Sequence, residues 1–297
     1  MKKSYTLVLL KFGFIFLSLI VFRSLSNYQI TTEEKYSSIS KNIENHKLES
    51  KIIGLGGYQE SCLEFDLKNM TPDTLFIKLE PGRRIVSVDS SFQDILIVKE
   101  RRIILPPYKS MKFDGYGFCC RATKGSPRKD SEFQIGYMAP PEWIVLAEVI
   151  NENKFPISAI QNAIWVVSDN HSIASIHHDK MEDIDLLRRT VAKIKGVVLP
   201  WYSITYEKDT ARLFSNKPER IFGNFEYYIN KNAMMLINVR SQKGKLMATL
   251  LKDKANNPGK HLFKLDLNVK NWPKGEYQIY VYEDYSNLNM KLPFTLN

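Results

Sequence analysis

The strongest constraint on this chain is that two long stretches are written as short alternating runs, each cut off by turn-forming residues. In the first, Cys62-Leu63-Glu64-Phe65-Asp66-Leu67 alternates, Asn69-Met70-Thr71-Pro72-Asp73 breaks the run, and Thr74–Leu79 resumes it. Pro81-Gly82 precedes Arg84–Val88, and further runs at Asp94–Val98 and Arg102–Leu105 end on Pro106-Pro107. Ser110–Phe113 then leads into Gly115-Tyr116-Gly117-Phe118-Cys119-Cys120. A period of two sends successive side chains to opposite faces, so each strand needs a partner layer for its apolar face. Several such strands at regular spacing predict a β-sandwich or barrel. The second stretch has runs at Phe225–Ile229, Met234–Arg240, Leu246–Leu251, His261–Leu267, Glu276–Tyr282 and Lys291–Leu296. Turns at Gln242–Lys245 and Asn257–Lys260 separate them, which predicts a six- or seven-stranded antiparallel sandwich.

Between the two lies a block that reads as about three helices. Pro140-Pro141 opens one over Glu142–Ile150, with Glu142 at the favourable positive pole of the helix dipole. Pro156 suits the first position of a second, where its missing N–H costs nothing. In that helix Ile157, Ala159, Ile160, Ala163, Ile164, Val166 and Val167 leave almost no polar face, so it is expected to be buried and to end near Ser168-Asp169-Asn170. The third, His178–Lys195, is amphipathic, with Ile184, Leu187, Val191 and Ile194 on one face and Gly196 as its stop.

One carboxamide interrupts the buried helix. Gln161 stands four residues before Trp165, on the same side one turn away. Left unpaired in the core it costs about 1–3 kcal/mol, so it needs a partner. Two readings are open: a hydrogen bond to a neighbouring backbone that ties the helix to a sheet, or a chemical partner such as a cysteine.

The N-terminus bears on where such chemistry takes place. Met1–Lys11 is basic, Phe12–Phe22 is an apolar run, and Ser24-Leu25-Ser26 supplies small residues before Asn27, the layout of a cleaved secretory signal peptide. The alternative is an uncleaved anchor, although Lys11 breaks the run short of the ~20 residues a clean span needs. Either reading places the remainder outside the cytoplasm, at the cell surface, secreted or periplasmic. Formal net charge is +10, of which Lys2, Lys3, Lys11 and Arg23 contribute four; the remaining +6 is scattered along the chain. A scattered surplus without a basic stripe argues against nucleic-acid binding.

Three cysteines are present, Cys62, Cys119 and Cys120. In an oxidising compartment thiols tend to pair, and a bridge from Cys62 to either of the adjacent two leaves one over. Cys62 and Cys120 are the candidate pair; simple packing as small hydrophobes is the alternative. Phe118-Cys119-Cys120-Arg121, followed by Ile160-Gln161-Asn162-Ala163-Ile164-Trp165, resembles the paired motifs of bacterial surface thioester domains. That resemblance implies an internal thioester, in which the cysteine sulfur replaces the amide nitrogen of the glutamine and a host amine later opens the bond. Cys119 matches the cysteine (Cys120 is the alternate) and Gln161 the glutamine, with Phe118, Ala163 and Trp165 as supporting motif positions. Ile160 stands where the family has threonine.

The last 75 residues or so resemble the Ig-like modules of flagellar hook-cap proteins and of the C-terminal sorting domains of type IX secretion cargo. The matching residues are Val239–Leu250 around Gly244, Pro258-Gly259-Lys260-His261 and Lys274-Gly275-Glu276-Tyr277. Delivery to the cell surface is what that resemblance implies. Elsewhere, His171 and His177-His178-Asp179 match no metal-ligand spacing and read as solvated surface, so no metal is expected. No nucleophile elbow, phosphate loop or dinucleotide fingerprint occurs. The expected fold is mainly β with a helical block: residues 1–26 a signal peptide or anchor, 27–50 a polar lead-in, 51–199 an N-terminal β-sandwich or barrel with about three helices, 200–220 a linker, and 221–297 an Ig-like antiparallel β-sandwich. The expected function is non-enzymatic and needs no cofactor. It is interaction or adhesion with an unidentified protein or cell-surface ligand, in its sharper form covalent through Cys119 and Gln161. The membrane enters only through an uncleaved N-terminal segment. The alternative is a structural scaffold or secretion-associated module with no reactive site.

Overall fold

A computed structural model describes residues 35–207 and 214–297. The expected leader and the start of the polar lead-in lie outside the described residues. The fold is mainly β with a helical block. In chain order the elements are β1 (Ser37–Ser38), α1 (Ile39–Glu44), β2 (Leu48–Leu55), β3 (Gln59–Asn69), β4 (Leu75–Leu79), β5 (Arg83–Ser87), β6 (Ile95–Ile97), β7 (Arg101–Leu105), β8 (Ser110–Cys119) and β9 (Lys129–Met138). Then come α2 (Pro141–Glu152), α3 (Ile157–Asp169), two 3-10 turns, α4 (Asp185–Lys195) and β10 (Tyr202–Tyr206). The chain closes with β11 (Pro218–Ile229), β12 (Ala233–Ser241), β13 (Leu246–Asn256), β14 (Gly259–Asn268), β15 (Gly275–Glu283) and β16 (Asn287–Leu296). Among the described residues no helix is long and apolar enough to cross a membrane.

The chain divides into two units. The first takes its described residues from 35–51, Asp66–Glu80 and Glu100–Lys112. Its sheet has the order β1-β4-β7, with β4 and β7 antiparallel in the register Leu75↔Leu105. Leu75, Ile77, Leu79, Ile103 and Leu105 point inward, as the alternation predicts. The turn after β3 is held by Asn69, whose Nδ2 donates to the carbonyls of Asp73, Leu105 and Pro106 at 2.7–3.0 Å, while its Oδ1 accepts from the Thr71 N–H. Of the polar lead-in, whose sequence suits either a loose segment or a short amphipathic helix, the described residues form the short helix α1, and its Ile39 is fully buried.

The second unit holds Ile52–Phe65, Pro81–Lys99 and Phe113–Asn297. The expected N-terminal β-body is a closed barrel in the order β2-β3-β8-β6-β5-β9. Strand β9 was not foreseen from the sequence; it closes the barrel by pairing with β2 (Ile52↔Phe133) and with β5 (Ile85↔Ile135). Inside, Phe65 stacks on Phe113 at 5.0 Å, and Gly115 is needed beside them because a Cβ there would meet the Phe65 ring.

The helical block covers one face of that barrel. Leu96, Val98, Phe118 and Cys120 from the strands form one buried cluster with Leu146, Ala147 and Ile150 of α2, Ile160, Ala163 and Ile164 of α3, and Leu187 and Val191 of α4. Each large aliphatic chain so buried contributes about 1.5–3 kcal/mol relative to exposure. Pro156 is the residue before α3 rather than its first turn, and Asn170 ends that helix in the left-handed region at φ 58°. Gly196, at φ 64°, stops α4 as expected. Lys99 secures the far end of α2, where its ammonium donates to the carbonyls of Ile150, Asn151 and Asn153 at 2.6–3.0 Å.

The C-terminal part is a seven-stranded antiparallel sandwich of two sheets, β10-β11-β14 and β13-β12-β15-β16. Ile221, Tyr227 and Ile229 of one sheet and Ile237, Val239, Ile279 and Val281 of the other share one core. The stretch expected as a linker, 200–220, contributes β10, paired with β11 from Tyr202↔Gly223 onward. Its sequence, Tyr-Ser-Ile-Thr-Tyr, is too short to stand out, yet Ile204 is nearly fully buried once paired.

Candidate functional site

The two motif segments meet. Strand β8 ends at Cys119, which pairs with Ile95 of β6, and its N–H donates to the Tyr58 carbonyl at 2.9 Å. On α3, Gln161 is 2% exposed and its Nε2 donates to the Cys119 carbonyl at 2.8 Å. One turn on, the Trp165 ring stacks on Tyr58 with centroids 6.4 Å apart. Tyr58 therefore holds Cys119 through its backbone and Trp165 through its ring, while Gln161 bridges the helix to the strand. Phe118 is fully buried and set edge-on to Tyr116 at 5.6 Å; Ala163 is fully buried in the cluster below. The helical spacing of Gln161 and Trp165 and the short run Phe118–Cys120 carried this signal in the sequence; Tyr58 had none.

Strand alternation sorts the cysteines. Phe118 and Cys120 share the face covered by the helices, whereas Cys119 and Gly117 face the other way. Cys62 donates to the Gly117 carbonyl at 3.6 Å, and its field reaches the Cys119 thiol. Cys120 donates to the Asp94 carbonyl at 3.3 Å. All three are free and buried. The expected Cys62–Cys120 bridge is not formed, because Cys62 lies on the Cys119 side and Cys120 belongs to the helical cluster. Burial pushes Cys62 and Cys120 up to about 12, and burial with the neighbouring thiols holds Cys119 well above the usual range. All three are neutral thiols at pH 7, and a neutral thiol is a poor nucleophile.

A buried polar cluster adjoins them. Arg84 and Asp94 form an ion pair whose side chains are 7% and 4% exposed. Asp94 also accepts the Ser87 N–H at 3.2 Å and faces Arg121 at 3.3 Å. Arg84 lies over the rings of Tyr137 and Trp143, and its field favours the charged form of Cys120, opposing the burial that keeps it neutral. Two buried polar atoms of the motif have no partner among the described residues: the Gln161 Oε1 and the Trp165 Nε1. Each leaves about 1–3 kcal/mol uncompensated, so this is not the cheapest way to build a core.

The histidines expected on solvated surface are half-buried instead. His171 stacks on Phe214 with centroids 3.5 Å apart, and His177 sits edge-on to Phe222 at 4.1 Å. Burial lowers His171 to about 4 and also lowers His177, so both rings are neutral at pH 7. The reason is tertiary: rings from distant chain cover these residues, Phe214 from the segment before β11 and Phe222 from β11 itself.

No protein-family model matches the chain. No curated protein matches it either. Among solved structures, a β-glucosidase from Kluyveromyces marxianus in complex with glucose aligns with 79% of this chain and 45% of its own length, at 10% identity and a TM-score of 0.20. The chain spans less than half of that enzyme, and a likeness this low carries no argument.

Proposed function

We propose that this is an exported, non-enzymatic interaction protein of the cell surface or periplasm, whose working centre is the Cys119-Cys120/Gln161 contact. The observation that supports the reading is the 2.8 Å hydrogen bond from the Gln161 side chain to the Cys119 carbonyl, made inside a core where three thiols stay reduced. It brings the carboxamide to the Cys119 backbone, next in the chain to Cys120, whose side chain shares the face covered by the helices. The chemistry open to them is acyl exchange: the sulfur bonds to the Gln161 Cδ, the C–N bond breaks, and the thiol proton leaves with the nitrogen as ammonia. Burial opposes formation, since the thiol must first lose its proton, and then protects the product, since water has poor access. An amine that reaches the acyl carbon takes it over, restoring the thiol and leaving an amide bond to the ligand.

A second reading has its own support. The same hydrogen bond satisfies the amide donor and ties α3 to β8, which suffices for a scaffold module in which nothing reacts. Intact mass of the purified protein, before and after methylamine, separates the two. The covalent reading expects a loss of about 17 Da and then a gain of about 31 Da on methylamine treatment, both abolished by Gln161→Ala. Cys119→Ala and Cys120→Ala identify the sulfur. A mass equal to that of three free thiols, with no adduct, leaves the scaffold reading.

A further inference from the structure

We propose that the cavity at the C-terminal end of α3 is a binding pocket for an organic ammonium group, such as a lysine side chain presents, recognised non-covalently. The cavity, of ≈310 Å³, is lined by Asp169, Asn170, His171, Ser172, Tyr206 and Phe214, among others. That volume is at the small end of ligand sites and suits the end of one extended side chain.

The lining is built for a cation. Among the described residues that line it, Asp169 is the one with an acidic side chain, and none is a lysine or arginine. As the last residue of α3, Asp169 adds a carboxylate to the negative pole of the helix dipole, an unfavourable placement unless a positive charge answers it. Among the described residues none pairs with it; its partner is the Ser168 hydroxyl, which donates at 2.5 Å. Lys195, at the end of α4, goes to the neighbouring Asn170 Oδ1 and lines the adjacent cavity. A carboxylate at a helix C-terminus that no described cation answers is a place where a ligand's positive charge fits.

Aromatic faces complete the pocket. Phe214 carries His171 stacked on one side and Tyr206 at 4.9 Å, with Trp165 edge-on behind it at 5.8 Å. Ring faces attract ammonium groups, more strongly when desolvated than when exposed. The His171 Nδ1 is buried with no partner among the described residues, and a neutral imidazole there can accept an N–H from the ligand. Binding here requires no acyl bond, and the covalent reading can fail without it.

The test is an NMR titration of the full chain at pH 7, following the His171 ring and the ligand signals. The probes are Nα-acetyl-lysine-N-methylamide, its norleucine counterpart without the ammonium, and tetramethylammonium chloride. The lysine probe is expected to bind and move the His171 ring signals, the norleucine probe not. Asp169→Asn, and Phe214→Leu as a second variant, are each expected to weaken the lysine probe about tenfold, equivalent to about 1.4 kcal/mol. Tetramethylammonium binding weaker than lysine assigns the hydrogen-bonding part to Asp169 and His171. Equal binding of lysine and norleucine probes, or unchanged affinity in both folded variants, overturns the proposal. Asp169-dependent binding in a protein that has not lost ammonia supports the pocket and refutes the acyl reading. Loss of ammonia without Asp169-dependent binding overturns the pocket alone.

Discussion

Removing the Asp94 carboxylate should be among the most damaging single changes in the second unit. Asp94→Ala leaves the Arg84 guanidinium in a site where its side chain is 7% exposed, with its charge unanswered. It also strips the Ser87 N–H of its acceptor and Arg121 of its partner. Breaking a buried pair from one side costs about 3–5 kcal/mol, against a typical total stability of about 5–15 kcal/mol. The interactions with Tyr137 and Trp143 soften this, because they hold the cation when the carboxylate is gone. The expected loss is therefore about 3 kcal/mol, at the lower end of that range. Urea unfolding followed by tryptophan fluorescence measures it; with an m-value of about 2–3 kcal/mol/M the midpoint should fall by about 1–1.5 M. Arg84→Met together with Asp94→Ala should recover most of the loss, because the buried charge is then gone; the Ser87 N–H stays unmet, and Arg121, 43% exposed, turns to water. A single variant within about 1 kcal/mol of the parent, or a double variant no better than the single, would refute the reasoning.

Two further outcomes follow from the same geometry. His171 has a folded value of about 4, below its ordinary 6.5, so the unfolded chain binds the extra proton; the stability is full above about 6.5 and is lost as the pH falls towards 4. Allowing for the exposed part of the ring, the loss is about 1–2 kcal/mol, and His171→Phe should flatten this part of a stability–pH curve. Gly117→Ala places a methyl group against the Ile95 side chain and the Leu96 carbonyl, so it should cost about 2 kcal/mol in a thermal melt and disturb the neighbouring Cys119. Retention of full stability in that variant would mean that β6 and β8 are less closely packed than described.

How much of this was legible beforehand depended on whether the signal was local. The turn at Asn69–Asp73, the buried α3 and the stop at Gly196 were readable, because each rests on residues adjacent in the chain or one helical turn apart. Strand β9 was not, since only Phe133 of its alternating residues is buried and the rest of Lys129–Met138 is half-exposed or exposed. Strand β10 was passed over as linker for a similar reason: five residues offer too little periodicity to outweigh the turn signals around them.

The sequence alone determined that the fold is mainly β with a helical block, and it singled out Gln161 and the Phe118–Cys120 run as chemically unusual. Only the tertiary structure decided which groups meet. Strand alternation put Cys120 with the helices and Cys119 with Cys62, barrel closure buried Arg84 against Asp94, and the packing of α3 brought Gln161 to the Cys119 carbonyl. It also gathered Asp169, His171, Tyr206 and Phe214, drawn from a helix end, a strand and loops, around one cavity. Periodicity records which face of an element is buried; it does not record the partner that buries it, because that partner comes from distant chain and is chosen by the fold as a whole.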